Sequence, residues 1–245
     1  MSDRTTLVCL PFAGAGASFY RPWQRLAEPL GLDVLPLQLP GRERRIDEEP
    51  FRDAHTAAAA LLTDLQAALG DAPRPHRVAL FGHSLGAVLA HELARRLCAT
   101  PDVRLLRLFA SGSPHPAQPR TRRATGLDDD AFLQRVGEFA GYAHEALQDP
   151  EMRELILPTL RADVEMHESY VPADELPLPV PVTSLRGTAD TLVTRGEAEA
   201  WARVTDAGFR HVELAGGHMY LTESAPELLR ILAGDLNRTP EELCV

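Results

Sequence analysis

The chain has 245 residues, of which 44% are hydrophobic and 24% charged, a composition typical of globular proteins and unlike that of a disordered chain. This length suits one α/β domain, and we predict a single domain over residues 1–245. The formal net charge is -10, with 35 acidic against 25 basic residues. Because phosphate binding needs a basic surface, this balance argues against nucleic acid as the main partner.

Hydropathy and cysteine usage bear on the compartment. The apolar run Leu7–Leu10 is too short for a secretion signal, and no apolar stretch approaches the length of a membrane span. The three cysteines, Cys9, Cys98 and Cys244, are far apart and form no CxxC pair, which is typical of thiols in a reducing compartment. We therefore expect a cytoplasmic protein that does not associate with membranes.

Short apolar runs alternate with helical periodicity along the chain. The runs that predict buried strands are Leu7–Leu10, Leu32–Leu37, Arg77–Phe81, Leu105–Ala110, Val182–Leu185 and His211–Leu214. Helical spacing is clearest in Ala57–Leu69 and Leu85–Cys98. This alternation predicts an α/β fold with a mostly parallel sheet and helices on both faces.

Residues 115–173 break this alternation. They show helical patterning without a convincing strand, and proline-rich segments flank them on both sides. We interpret them as a helical lid inserted over the sheet. Two ordinary crossover helices are the alternative interpretation.

The segment Gly82-His83-Ser84-Leu85-Gly86 has the G-x-S-x-G form between a predicted strand and a predicted helix. A sharp strand-to-helix turn of this kind exposes the serine hydroxyl, and its glycines are needed because a β-carbon would collide with backbone. The start of the helix also directs free N–H groups towards a developing oxyanion. The motif therefore predicts an α/β-hydrolase fold with Ser84 as nucleophile.

A serine nucleophile needs a base and an orienting carboxylate, which in this fold follow the serine in the order Asp or Glu, then His. Asp190 follows the predicted strand Val182–Leu185, and His218 follows His211–Leu214. We predict Asp190 as the orienting carboxylate and His218 as the base. Asp163 and Asp174 also lie downstream of Ser84, but neither follows a predicted strand.

The loop after the first strand supplies the other candidate oxyanion donor. We predict that the backbone N–H groups of Phe12 and Leu85 form the oxyanion hole, with Ala13 as the next candidate donor. An alternative interpretation, a dinucleotide-binding turn at Gly14-Ala-Gly16, is weak because the third glycine of that motif is replaced by Phe19. No metal-ligand spacing occurs, so we expect neither a metal nor a cofactor.

Several segments together resemble one family, the type II thioesterases that accompany polyketide synthases and non-ribosomal peptide synthetases. These segments extend over nearly the whole chain. The Pro-Gly-Arg-Glu segment distinguishes this family best from other hydrolases. The segments are Leu10-Pro-Phe-Ala-Gly14, Leu39-Pro-Gly-Arg-Glu43, Gly82-His-Ser-Leu-Gly-Ala87, Leu157-Pro-Thr-Leu-Arg-Ala-Asp163, Gly187-x-x-Asp190 and Gly216-Gly-His218. The chain departs from the family at Met219, where an aromatic residue is common, and at Ala15, where the family more often has glycine.

The resemblance implies a stand-alone enzyme that hydrolyses acyl groups from the phosphopantetheine arm of acyl or peptidyl carrier proteins, as an editing activity. It implies the same site residues: Ser84, Asp190 and His218 as triad, with the Phe12 and Leu85 amides as oxyanion hole. We expect a monomer. A general carboxylesterase, an acyltransferase with the same triad and a non-catalytic binding protein on this scaffold are the alternatives.

Two basic clusters could contact an acidic carrier protein despite the acidic balance of the chain. They are Arg42, Arg44 and Arg45, and Arg120, Arg122 and Arg123. Solvated surface without a partner is the alternative for each cluster.

Overall fold

A computed structural model describes residues 4–70, 75–121, 123–140 and 149–238. Every predicted strand is present in it. The strands are β1 (Thr5–Leu10), β2 (Leu32–Pro36), β3 (His76–His83), β4 (Val103–Ser111), β5 (Val182–Gly187) and β6 (Phe209–Leu214). They form one parallel sheet in the order β2-β1-β3-β4-β5-β6.

Helices connect these strands. The α-helices are α1 (Arg21–Ala27), α2 (Ala54–Leu69), α3 (Leu85–Cys98), α4 (Asp129–Ala140), α5 (Pro150–Ser169), α6 (Arg195–Glu199) and α7 (Ala225–Leu236). Short 3-10 helices occur at Ala17–Tyr20, Glu28–Leu30, Glu43–Arg45, Ala200–Val204 and Tyr220–Thr222. None of the helices in the described ranges has the length and apolar character that crossing a membrane requires.

Both faces of the sheet are buried, as the apolar runs predict. Along β1, Val8 and Leu10 pack into the core on the face that α2 and α3 cover. Leu7 and Cys9 point to the opposite face and pack against α1 and α7. Successive side chains of a strand point to opposite faces, so a strand that is apolar throughout fits only a sheet that is covered on both sides. The predicted fold class is therefore confirmed.

The helix that follows Ser84 is more buried than its spacing predicts. The pattern places Leu85, Leu89 and Leu93 on one apolar face, yet His91 and Glu92 on another side of α3 are also buried. The reason is that α3 packs against the sheet, α2 and α5 at once. Glu92 is accommodated there because Tyr170 donates to its Oε1 at 2.7 Å and Arg96 donates to its Oε2 at 2.9 Å.

Between β4 and β5 the described part of residues 115–173 contains α4 and α5 and no strand. Phe132 of α4 packs with Leu157, Leu160 and Val164 of α5 in a small apolar cluster that is separate from the two main cores. This arrangement supports the interpretation of the segment as an inserted helical unit, and its function as a lid stays a prediction.

Candidate active site

Because all six strands are parallel, the loops that follow them meet at one edge of the sheet. The loop after β1 carries Phe12, the turn after β3 carries Ser84, and the loops after β5 and β6 carry Asp190 and His218. The topology therefore gathers residues that are far apart in sequence.

The turn at Ser84 has the backbone that the motif predicts. Ser84 has φ 53° and ψ −116°, which is strained for a residue with a side chain. A β-carbon at Gly82 would lie 1.9 Å from the carbonyl oxygen of Gly86, and one at Gly86 would lie 2.5 Å from that of Leu10. Both glycines are thus required by close backbone packing. The N–H of Ser84 donates to the Ser111 carbonyl at 2.8 Å, which fixes the turn to β4.

Asp190 and His218 are joined by a hydrogen bond of 2.9 Å between Nδ1 of the histidine and Oδ2 of the aspartate. The other carboxylate oxygen accepts from the backbone N–H groups of Leu192 at 2.8 Å and Val193 at 3.1 Å. Burial opposes ionisation of Asp190, but the bond from His218 and these amides outweigh it and hold the pKa of Asp190 below its usual range. An ionised carboxylate only accepts, so Nδ1 carries the proton and Nε2 of neutral His218 is free to accept one.

Ser84 and His218 line the same cavity, whose volume is about 380 Å³. This is within the range of roughly 300–1,000 Å³ found for small-molecule sites. Apolar side chains of Val136, Leu160 and Val164 in α4 and α5 cover one part of it. The predicted lid segment thus forms a wall of the cavity that holds the candidate nucleophile.

The candidate oxyanion donors belong to the loop after β1 and to the start of α3. Leu85 is the first residue of α3, so its N–H has no carbonyl to bond within the helix. Phe12 lines the cavity, and its carbonyl accepts from the N–H of Ala15 at 2.9 Å in a tight turn. Their role as oxyanion donors stays a prediction.

A buried ion pair fixes the loop that carries Phe12. Asp163 of α5 accepts from Arg42 in bidentate fashion, at 2.6 Å for Oδ2 and 2.7 Å for Oδ1, and it also accepts from the N–H of Gly14 at 2.8 Å. Arg42 donates in addition to the carbonyl of Ala15 at 3.1 Å. Asp163 is fully buried, and Arg42 is 7% exposed. These contacts join the first loop, the Pro-Gly-Arg-Glu segment and α5 into one network.

Arg42 is therefore unavailable for docking, and the expectation that it contacts a carrier protein is wrong. Its neighbour Arg45 pairs with Glu48 and Asp64, whereas Arg44 is exposed.

In the second basic cluster the side chain of Arg123 is 56% exposed. Arg120 is partly buried and lines the Ser84 cavity, and Arg122 lies outside the described residues. Asp163, the alternative carboxylate for the triad, is occupied by Arg42 and does not contact His218.

His83 lies beneath the candidate base. Its ring centroid is 4.7 Å from that of His218, and its Nδ1 is 2.9 Å from the hydroxyl oxygen of Ser111. That hydroxyl is 2.7 Å from the hydroxyl of Tyr220. Burial lowers the pKa of His83 well below its usual range, so this ring stays neutral and packs beside His218 without adding charge.

We expect the free energy of unfolding to fall as the pH falls below about 6.5, the pKa of an unperturbed histidine. Burial lowers the pKa of His83 well below that value and the pKa of His91 to about 4. Between the unfolded and the folded pKa only the unfolded chain binds a proton at each of these histidines. Each histidine therefore lowers the free energy of unfolding by about 1.4 kcal/mol for every unit by which the pH falls. Above about pH 6.5 both states are neutral and this contribution is constant.

Urea denaturation at a series of pH values measures this slope. In the His91→Gln variant this slope should be smaller by about 1.4 kcal/mol per pH unit, because the histidine that titrates is absent. A stability that does not change between about pH 6.5 and pH 5 would show that these imidazoles are not shielded as described.

Among the described residues, no three His, Cys, Asp or Glu side chains gather as a metal site requires. The sequence motifs did not single out Asp163, Arg120 or His167 as parts of this site. No charge pattern in the sequence pairs Arg42 with Asp163, because the segments Leu39–Glu43 and Leu157–Asp163 each carry one arginine and one carboxylate.

Comparison with known proteins gives consistent matches over most of the chain. Residues 5–236 match the model of the thioesterase domain family. The gramicidin S biosynthesis protein GrsT of Aneurinibacillus migulanus is 33% identical, over 94% of this chain and 88% of its own length. The RedJ thioesterase from the prodiginine pathway of Streptomyces coelicolor is 33% identical with a TM-score of 0.82, over 94% of this chain and 85% of that one. The type II thioesterase BorB from the borrelidin biosynthetic cluster is 36% identical with a TM-score of 0.81, over 97% and 94% of the two chains.

Proposed function

Because the chain belongs to the thioesterase family, as a type II member of the kind associated with polyketide synthases and non-ribosomal peptide synthetases, we propose that it hydrolyses acyl groups from the phosphopantetheine arm of carrier proteins. Such hydrolysis would release stalled or wrongly loaded acyl groups, which is an editing activity. The observation that carries this proposal is the cavity that Ser84 and His218 both line, with His218 bonded to Asp190.

In the proposed mechanism, the hydroxyl oxygen of Ser84 attacks the thioester carbonyl carbon while Nε2 of His218 takes the hydroxyl proton. Asp190 keeps the imidazole in the required tautomer and stabilises the imidazolium that forms. The carbon–sulfur bond then breaks, and the departing pantetheine sulfur receives the proton from His218. The acyl group is left as an ester on Ser84.

Water completes the cycle. His218 takes a proton from a water molecule, whose oxygen attacks the ester carbonyl, and then returns a proton to Ser84 as the free acid leaves. In both halves the negative oxygen of the tetrahedral intermediate accepts hydrogen bonds from the N–H groups of Phe12 and Leu85. The reaction consists of proton transfers and acyl exchange, so we propose that it needs no metal or cofactor.

The lining of the cavity suits this substrate. Phe12, Val136 and Leu160 offer apolar surface to an acyl chain, while Gln118, Thr121 and Thr194 offer polar groups. A thioester with an acyl chain on one side and an amide-containing arm on the other presents both kinds of surface. The presence of both apolar and polar side chains in the lining supports an acyl-pantetheine substrate over a purely apolar ester.

The test compares one short acyl group on three leaving groups: a phosphopantetheinylated carrier protein, N-acetylcysteamine and p-nitrophenol. We expect the highest kcat/KM for the carrier thioester, because the carrier and the full arm add contacts that the small thiol lacks. Fast cleavage of the nitrophenyl ester with an untouched carrier would contradict the proposal and indicate a general carboxylesterase.

A further inference from the structure

Unsatisfied polar atoms are concentrated at the Ser84 cavity. Seven side-chain nitrogen atoms of the described residues are buried without a hydrogen-bond partner among those residues, and four of the seven belong to residues that line this cavity. They are Nε and Nη2 of Arg120, Nε2 of His167 and Nε2 of His83. A buried donor without a partner destabilises a folded protein, and such groups are therefore typical of sites that a ligand completes.

Arg120 is a cation with free donors. Among the described residues only the Gln118 carbonyl bonds to its side chain, accepting from Nη1 at 3.3 Å. Burial lowers the pKa of Arg120 to about 10, which leaves the guanidinium charged at neutral pH. The carboxylates that face it have other donors: Glu197 accepts from Gln118 at 2.6 Å and from Thr194 at 2.8 Å, and the oxygens of Glu168 accept from two backbone N–H groups.

His167 is a second residue of this cavity that carries a nitrogen without a partner among the described residues and that the proposed mechanism does not use. It lies on α5, lines the cavity and has a buried Nε2. Burial lowers the pKa of His167 well below its usual range, and the positive charge of Arg120 lowers it further. The ring is therefore neutral, and with the proton on Nε2 it has one hydrogen-bond donor that no described residue satisfies.

We propose that Arg120 and His167 form a subsite that binds an oxygen acceptor on the acyl chain, a ketone or carboxylate oxygen. The subsite rests on the proposed thioesterase function, since the acyl group enters this cavity only as the substrate of Ser84. An alkyl chain would leave the guanidinium and imidazole donors unpaired, whereas an oxygenated chain satisfies them. Because a site built to hydrogen-bond a substrate discriminates strongly against an analogue that lacks the partner, the subsite selects oxygenated acyl groups.

Acetoacetyl and butyryl thioesters of the same carrier protein test the subsite, because the two chains have equal carbon numbers and differ by one ketone oxygen. The ketone also changes intrinsic reactivity, so the readout is the change in the ratio of the two kcat/KM values between wild type and variant. In Arg120→Met we expect this ratio to fall by about tenfold or more, and in His167→Phe to fall in the same direction. Arg123→Met, which removes a more exposed arginine that does not line the cavity, should retain the wild-type ratio.

An unchanged ratio in both Arg120→Met and His167→Phe would overturn the subsite, and so would an equal fall in Arg123→Met. Binding supplies a second measurement on a Ser84→Ala background, in which the Kd values of acetoacetyl- and butyryl-pantetheine are compared with and without Arg120→Met. If Arg120→Met weakens the binding of acetoacetyl-pantetheine but not of butyryl-pantetheine, the subsite is supported. If the ratio of the two Kd values is the same with and without Arg120→Met, the subsite is overturned. A wild-type chain that cleaves neither thioester would instead contradict the proposed function, while the ratio of Kd values still decides the subsite.

Discussion

Replacing Ser84 with alanine is expected to lower kcat/KM for a carrier-bound thioester by at least about 10,000-fold. The substitution removes the only protein atom that bonds to the acyl carbon in the proposed mechanism, and it leaves the oxyanion amides and the Asp190–His218 pair in place. Residual hydrolysis would come from water that these groups position. Single-turnover release of a labelled acyl group from the carrier measures the loss.

Ser184→Ala is the matched control for this experiment. Ser184 lies on β5 with its hydroxyl oxygen 2.8 Å from Nδ1 of His211, and it does not line the cavity. The control should keep most of the wild-type activity. If Ser84→Ala hydrolysed the thioester at a rate near that of the control, the proposed nucleophile would be wrong.

Replacing Asp163 with asparagine is expected to lower the free energy of unfolding by about 3–5 kcal/mol. The charge of Arg42 would remain buried at 7% exposure with no carboxylate to balance it. The Gly14 N–H would lose its charged acceptor as well, so the loop that carries Phe12 would move and kcat should fall. Urea denaturation and the thioesterase assay, on the same preparation, measure the two effects.

Glu165→Gln is the control on the same helix. Glu165 pairs with Arg52 on the surface, where the two side chains are 40% and 51% exposed, so its loss should cost at most about 1 kcal/mol. The double variant Arg42→Met/Asp163→Leu should recover part of the stability lost in Asp163→Asn, because neither charge then remains unpaired. Equal losses in Asp163→Asn and Glu165→Gln would contradict the description of the buried pair as the structural link between α5 and the first loop.

The fold could be predicted because both local patterns were unambiguous. Val8 and its neighbours in β1 are apolar without alternation, which in an α/β pattern indicates a strand buried on both faces. The helix Leu85–Cys98 has the predicted bounds, since the glycine-flanked turn fixes its start. Its burial on nearly all sides could not be predicted, because periodicity reports one apolar face and carries no information on which elements pack against the others.

The candidate site divides in the same way. Ser84, Asp190 and His218 could be placed from the order of motifs and from loops that follow strands, because parallel strands bring those loops to one edge. The position of Arg42 could not be predicted, since an arginine beside Arg44 and Arg45 is equally compatible with an exposed patch. Its partner Asp163 lies 121 positions further along the chain, and only the three-dimensional structure shows that the two side chains are in contact.

The contacts of α5 with the loops at Gly14 and Gly41 bear on how the predicted lid can move. Asp163 and Thr159 of α5 bond to the Gly14 and Gly41 loops, the latter at 2.7 Å. A lid that moves as one unit over residues 115–173 would have to break these buried contacts. The network therefore argues against movement of residues 115–173 as one rigid unit.

The most direct test of the central claim is the mass of the intact protein during turnover of an acyl-carrier substrate. After rapid acid quench, the account predicts a fraction of the chain heavier by one acyl group, with the added mass on the peptide that contains Ser84 and absent in Ser84→Ala. Release of the acyl group from the carrier without such an adduct, or an adduct that persists in Ser84→Ala, would contradict hydrolysis through an acyl-enzyme on this serine.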